Sequence, residues 1–407
     1  MSDHHEKPPK TRLTTFITRG IVVLTIIMFF VAFHPLGTII FTPFPEDEVV
    51  VGVSLELEGE MAEFGIEYQR GIELAIEDIN DNGGVRGVPV RAKYYDNKGN
   101  CTLAQEQFKE IRDLGIPVVI GAVSSTVTLC MAPYAEEYGI VLISPSATSP
   151  SLSDYNKYVY RTVSSDIYLG AGMVKIAAIK KSTPRVMIIN VDSSYGNSIK
   201  KAFIDEANIS YPAMRIVSTV SVPDSDIVNS TEIVEIMKNT SPDSVLLIVN
   251  PTQAVKIMLE AQKQGLRPAW FGTDTTTTNQ IPREVGEYAE GMIGFAQARK
   301  ISDPTYQMHY DEMFNVPMMI RDSIYGYDTM MVVAQAIENS GYTANGITQG
   351  LDLIRNIALT GSIVFDENGD AYPSYDVTRL ENGKWVDLPW KEIFTFDEKA
   401  AAISSYH

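Results

Sequence analysis

From residue 48 onward, short apolar runs alternate with segments whose apolar positions recur every three or four residues. VVVGVSLE reads as a buried strand, and EFGIEYQRGIELAIEDINDNGG as an amphipathic helix closed by Gly83-Gly84. VPVRAKYYD and TLAQEQFKEIRDLG form the next strand and helix; IPVVIGA, VTLCMAPYAEEYG and IVLIS continue the alternation. Strands that are apolar throughout and separated by helices predict βαβ units, with a parallel sheet covered on both faces.

The alternation restarts near YVYRTVSSD, residues 158–166. IYLGAGMVKIAAIKK reads as a helix, RVMIINV as a strand and YGNSIKKAFIDEA as a helix. MRIVSTVSV, STEIVEIMKNT, SVLLIVN, PTQAVKIMLEAQKQG and AWFGTD extend the same order. The pattern therefore predicts two doubly wound α/β lobes in tandem, without a strong sequence repeat between them. Two further helices are expected around 304–314 and 322–340, then an antiparallel pair with a turn at Asn368-Gly369.

The length, 407 residues, fits about two globular domains. An apolar content of 45% is enough for large cores. The first twenty residues carry Lys7, Lys10, Arg12 and Arg19 against Asp3 and Glu6, whereas the whole chain has a net charge of −18. So acidic a surface repels phosphates and argues against a nucleic-acid partner. IVVLTIIMFFVAFHPLGTIIF, residues 21–41, is long enough as a helix to span a bilayer. The basic residues before it place the N-terminus in the cytoplasm and the rest outside. No small-x-small cleavage site and no lipid-accepting Cys follows it, which favours an uncleaved signal anchor over a cleaved signal peptide. In an exported domain Cys101 and Cys130 either pair or stay as separate thiols. Asn100, Asn208, Asn229 and Asn239 head glycosylation sequons for a suitable host.

In open parallel sheets, ligands bind beyond the carboxyl ends of the strands, where helix N-termini present free N–H groups. The outlets here read ELEGEMAEFG, VSSTVT, PSATSP, DSSYGN, PTQ and TDTTTTN. They are rich in Ser, Thr, Tyr and Asp and poor in His, Cys, Lys and Arg. Small hydroxyls serve as helix caps, and they also let backbone amides approach an anion while adding donors of their own. Two such outlets in adjacent units, 124–126 and 146–149, point to a shared pocket. Enzyme chemistry finds little support. Only His309 lies inside the folded region, no G-x-S-x-G, Walker A or G-x-G-x-x-G motif is placed to act, and two Cys with one His make no closed zinc site. No cofactor and no metal are expected. Most carboxylates fall on helix faces, where solvation is the default.

The ordered set EGEMAEFG, GIELAIEDINDNGGVRGVPV, VIGAVSS, APYAEEYGIVLISPSATSPSLS, DSSYGNSIKKAF, FGTD, AEGM and GSIVFDENGD resembles the type I periplasmic binding proteins. Within that family it is most similar to the branched-chain amino-acid (Leu/Ile/Val) binding proteins of ABC transporters. The resemblance covers roughly residues 48–390. It implies two lobes that close on a ligand about a three-strand hinge, with crossings near 162–165, 296–300 and 360–364. Residues 49–163 and 299–362 would form lobe 1, and 164–298 and 363–395 lobe 2. They would follow a cytoplasmic segment 1–20, the anchor 21–41 and a linker 42–48, and precede a tail 396–407. By motif, Ser125 and Thr148 would donate hydroxyls to an amino-acid zwitterion, and the backbone of Ser146 and Ala147 a carbonyl and an N–H. Phe64 would pack on the ligand side chain, Tyr195 would reach in from the second lobe, and Asp274 would pair with the ammonium. An ABC permease would be the partner, or a separate signalling protein if the chain is a sensory ectodomain. Where the family often has Gly-Tyr, Asn250-Pro251-Thr252 stands here. Another short amino acid, an amide or a different small carboxylate is therefore open as the ligand.

Overall fold

The computed structural model describes residues 44–45, 47–155, 157–179, 184–297, 305–316, 322–355, 359, 363–371 and 375–388. The chain first forms β1 (Val49–Leu55), α1 (Ala62–Asp81), β2 (Val90–Asp96), α2 (Cys101–Asp113), β3 (Val118–Gly121), α3 (Ser125–Tyr138), β4 (Val141–Ser144) and β5 (Val159–Arg161). There follow α4 (Asp166–Ile179), β6 (Arg185–Val191), α5 (Ser194–Ser210), β7 (Arg215–Val222), α6 (Ser230–Thr240), β8 (Ser244–Ile248), α7 (Pro251–Lys263), β9 (Ala269–Gly272) and α8 (Gln280–Val285). The last elements are β10 (Ile293–Gln297), α9 (Tyr306–Phe314), α10 (Ser323–Ser340), α11 (Ala344–Asp352), β11 (Tyr375–Glu381) and β12 (Lys384–Asp387).

The two sheets share one winding. The first runs β2-β1-β3-β4-β5, all parallel. The second runs β7-β6-β8-β9-β10 in parallel, extended by antiparallel β11 and β12. In each, the first strand has its successors on both sides, which opens a crevice at its carboxyl end. Strands such as β3 and β8 are buried along their whole length because helices cover both faces. Cys101, at the start of α2, is disulfide-bonded to Cys130 in α3, with Cα atoms 5.6 Å apart.

After β10 the chain returns to the first lobe, where α9 and α10 pack with α1 around Leu74, Tyr306, Tyr310 and Ile324. The α1–α10 contact is backbone to backbone. A Cβ on Gly71 would stand 1.7 Å from the Ser323 carbonyl oxygen, and one on Gly326 would stand 2.2 Å from that of Tyr68. Gly71→Ala should therefore destabilise the protein by about 1–3 kcal/mol, although alanine is the better helix former by about 1 kcal/mol. A lower midpoint in urea unfolding would show it; an unchanged midpoint would mean that the two helices can part without loss.

The sequence reading needs several changes. It lacks the strands β5 and β10 and the helices α8 and α11; β5 and α8 are only three and six residues long, IGFAQ carries a glycine, and Ala344–Asp352 is a short segment capped by Thr343. The C-terminal region holds two hairpins rather than one. Phe365 pairs with Ala371 around Asn368-Gly369, whereas β11 and β12 turn at Asn382-Gly383, both at positive φ. The first hairpin still belongs to the first lobe, since Arg161 N–H donates to Gly369 O and Ala371 N–H to Arg161 O. The third crossing therefore comes after Ala371 and not near 360–364, and residues 372–374 lie outside the described residues. The second expected crossing, 296–300, lies mostly outside them; the segments 1–20 and 21–41 and the tail lie wholly outside, as do residues 42, 43 and 46 of the linker.

Candidate functional site

The lobe 1 side of the site is built from the ends of β1, β3 and β4. Glu56 follows β1 and is only 1% exposed. Its carboxylate accepts the N–H groups of Val123 at 2.8 Å and Ser124 at 3.0 Å, filling part of the anion site before α3. Burial pushes this carboxyl up, and the two amides oppose the rise. Ser124 is the helix cap, its Oγ accepting the Val127 amide. That frees Ser125, whose buried Oγ accepts the amides of Thr148 and Ser149, both at 3.2 Å. With both lone pairs engaged, the Ser125 hydroxyl has its proton left to donate.

The loop after β4 is held from beneath by Ser144. Its Oγ donates to Ala122 O at 2.8 Å and accepts the amides of Ala147 at 2.9 Å and Ser146 at 3.2 Å. These two amides are thus engaged inside the loop, so the carbonyls are the groups left to meet a ligand. Thr148 is 3% exposed, and its Oγ1 is buried without a hydrogen-bond partner among the described residues. Phe64 is half-buried in the first turn of α1. The next residue, Gly65, lets that turn lie against β1, since a Cβ there would stand 1.8 Å from Glu56 O.

In the second lobe Ser193 caps α5, which places Tyr195 in its first turn. The Tyr195 hydroxyl donates to Asp274 Oδ1 at 2.5 Å. Burial and the charges of Asp274 and Asp166 push the Tyr195 hydroxyl well above its ordinary range, so it stays a donor. Asp274 follows β9 as the first residue of a short 3-10 turn whose cap position is Thr273, and no side chain caps that turn. Asn250 does act as a cap. It forms a capping box with Gln253, and both side chains donate to Ser225 O in the loop after β7. The outlet that lacks the family's tyrosine thus holds an acidic loop in place. Asp224 and Asp226 on that loop face Glu60 of the first lobe across the lip of the cleft; burial and then the Asp226 charge raise the Glu60 carboxyl.

Asp166 lies where the first crossing enters α4, and it is fully buried. Its N–H donates to Thr148 O at 2.9 Å and its Oδ2 accepts from Ser198 Oγ at 2.6 Å. Its carboxyl is pushed up to about 7, chiefly by burial, with Ser198 and Thr148 opposing the rise and Asp274 adding to it. The structure thus brings Ser125, Ser146, Ala147 and Thr148 together on one side, and Tyr195 and Asp274 on the other. A cavity of about 720 Å³ adjoins them between the lobes; its lining includes Ser149 and Asp154 from the first lobe, and Ile167, Ser194 and Ser198 from the second. It does not include Ser125, Thr148 or Asp274, so it is the crossing-side flank of the site rather than its centre.

Sequence reasoning missed Glu56, Ser144 and Asp166. Glu56 had a visible signal, a charge ending an otherwise apolar strand. Ser144 looked like the last residue of a strand, and Asp166 like an ordinary helix start. The expectation that carboxylates are mostly solvated fails for Glu56 and Asp166. Among the described residues no group of three or more His, Cys, Asp or Glu is placed to hold a metal ion, and no helix is long and apolar enough to cross a membrane.

The sequence matches the family described as receptor family ligand binding region over residues 68–383. It is 23% identical over 343 residues to a leucine-, isoleucine-, valine-, threonine- and alanine-binding protein of Pseudomonas aeruginosa, covering 82% of this chain and 90% of that one. The fold is similar to that of a leucine binding protein from Thermotoga maritima, with a TM-score of 0.75, 22% identity, and 86% of this chain and 99% of that one covered. It is also similar to a branched-chain amino-acid transporter substrate binding protein from Streptococcus pneumoniae in complex with isoleucine. There the TM-score is 0.72 and the identity 21%, over 84% of this chain and all (100%) of that one.

Proposed function

We propose that this chain, which belongs to the receptor family ligand binding region, is an extracytoplasmic solute-binding protein that captures an amino-acid-like ligand by lobe closure and delivers it to an ABC importer. The observation that carries this reading is the pairing of facing outlets. Ser125 and the unpartnered Thr148 hydroxyl stand on one lobe, and the Tyr195–Asp274 pair on the other. A zwitterion taken out of water needs donors for its carboxylate and an acceptor of opposite charge for its ammonium. Ser125 supplies a donor, and Asp274 supplies the acceptor. Because they come from different lobes, occupancy and closure are linked. Phe64 packs on the ligand side chain. Segment 21–41 anchors the domain to the membrane as a single-pass signal anchor, and the ligand is bound, not turned over. The names of the similar proteins point to Leu, Ile, Val, Thr and Ala as the first ligands to try.

Thermal unfolding of the full chain, stripped of bound ligand by unfolding and refolding, tests this against the proteinogenic L-amino acids and small amides. A ligand at about 100 times its Kd should stabilise by about 2.7 kcal/mol, a shift of a few degrees. Ser125→Ala should shrink the shift several-fold and also lower the unliganded midpoint, since it strands the buried amides of Thr148 and Ser149. No shift with any amino acid or amide would rule out this ligand class.

A further inference from the structure

Asp166 is a group that the ligand reading leaves unexplained. It is fully buried, yet its Oδ1 has no partner among the described residues. Thr148 Oγ1 and Ser165 Oγ are orphaned in the same way and belong to the same place, the first crossing and the loop to which it is bonded. Native interiors leave few polar atoms unmet, and each such atom calls for an explanation. A carboxylate is the most costly group to leave so. The Thr148 hydroxyl lies beside this carboxyl, near enough to favour its ionised form but outside hydrogen-bond geometry. The other oxygen is fixed by Ser198, so Oδ1 is the free one.

We infer that Asp166 is a proton-linked positioning residue for the ligand. In its ionised form it accepts the Thr148 O–H, which turns that oxygen's lone pairs toward the ligand's ammonium. In its protonated form it donates to Thr148 and takes that acceptor away. Thr148 then receives a hydrogen bond from the ammonium, the reverse of the donor role its motif suggests. The inference rests on the amino-acid reading above, since it needs an ammonium in the pocket.

The groups facing Asp166 are few. From the β9 outlet Asp274 raises its proton affinity, and from β5 Arg161 lowers it, although that guanidinium is already paired with Asp370. From α5 come Ser198 and the neutral hydroxyl of Tyr195. With its carboxyl at about 7 and an ammonium favouring the ionised form, ligand binding releases a proton below neutrality. Affinity should then rise about tenfold from pH 6 to pH 8. The sign for stability is opposite. The folded-state value lies above the unfolded one, so this group's contribution is full below the unfolded value and is lost as pH rises through about 7. Asp166→Asn should thus raise the unliganded unfolding temperature at pH 8 while weakening ligand binding.

Calorimetric titration of the full chain at pH 6, 7 and 8, with L-leucine, L-threonine and L-alanine as probes, tests the inference. Buffers of different ionisation enthalpy count the protons released. The expected result is a rising affinity in the wild type and a flat, weaker profile in Asp166→Asn. Thr148→Val should flatten it too, which gives a second reading should the first variant fold poorly. A flat wild-type profile overturns the role. So does an equal slope in both variants, which would assign the proton to Glu56, Glu60 or Asp224. Binding of no probe at any pH instead removes the amino-acid reading, and this role falls with it.

Discussion

Asp370→Ala is expected to lower the unfolding free energy by about 3–5 kcal/mol. Arg161 is completely buried, and each of its three guanidinium nitrogens donates a hydrogen bond. Nε and Nη2 donate to the two carboxylate oxygens of Asp370, each at 2.7 Å; Nη1 donates to Ser149 O at 2.8 Å, and Nη2 to Ser153 Oγ at 2.9 Å. An arginine cannot shed its proton to escape burial. Removing the acid strands a full charge in the interior, which is why the loss far exceeds what an exposed pair would give. Replacing both partners, as in Arg161→Met with Asp370→Leu, should recover most of the stability, because the pair's own attraction largely offsets its desolvation. Chemical denaturation of the single and double variants checks this. A single-variant loss under about 1 kcal/mol would mean that water reaches Arg161 once the acid is gone. The pair also fastens the hairpin around Asn368-Gly369 to Ser149, the end of the ligand loop. Ligand affinity in the single variant should therefore fall along with stability.

Asp274→Ala should weaken ligand binding by about 100-fold or more, in line with the 2–5 kcal/mol typical of truncating one partner of a buried charge pair. It removes the only acid placed by the β9 outlet and leaves the half-buried Tyr195 hydroxyl without its acceptor. Two further variants separate those effects. Asp274→Asn keeps an oxygen for Tyr195 but not the charge, so its loss should approach that of Ala. Tyr195→Phe keeps the charge and should cost about tenfold. Calorimetric titration measures all three. Wild-type affinity in Asp274→Asn would show that no ammonium sits against this residue and would redirect the search to uncharged ligands or simple carboxylates.

Much of the architecture was legible because it rests on local periodicity. Apolar runs such as VVIG and SVLLI, separated by helical segments, predict buried parallel strands, and β3 and β8 are those strands. The hydroxyl-rich outlets were readable as well, since strand ends in a doubly wound sheet have few other places to point. The misses share a different cause. A strand of five residues carrying a glycine, β10, has too little pattern of its own; it exists because β9 and β11 flank it. The crossing expected near 360–364 comes later because a hairpin first pairs with Arg161 at the edge strand β5 of the first lobe, a contact some 200 positions away in the chain.

By itself, then, the sequence determined the class of fold, its division into two similarly wound lobes, and the chemical character of the strand outlets, because each follows from the spacing of apolar residues and from the side chains next to them. Only the tertiary structure decided which hydroxyls cap helices and which stay available, and that separated Ser124 from its neighbour Ser125. It alone decided that Glu56, Asp166 and Arg161 are buried, since burial depends on what packs over a residue and not on the residue. It also set the pairing of Tyr195 with Asp274 and the approach of Asp166 to Thr148. Those contacts join strand ends far apart in the chain, and no local pattern records which strand ends will meet.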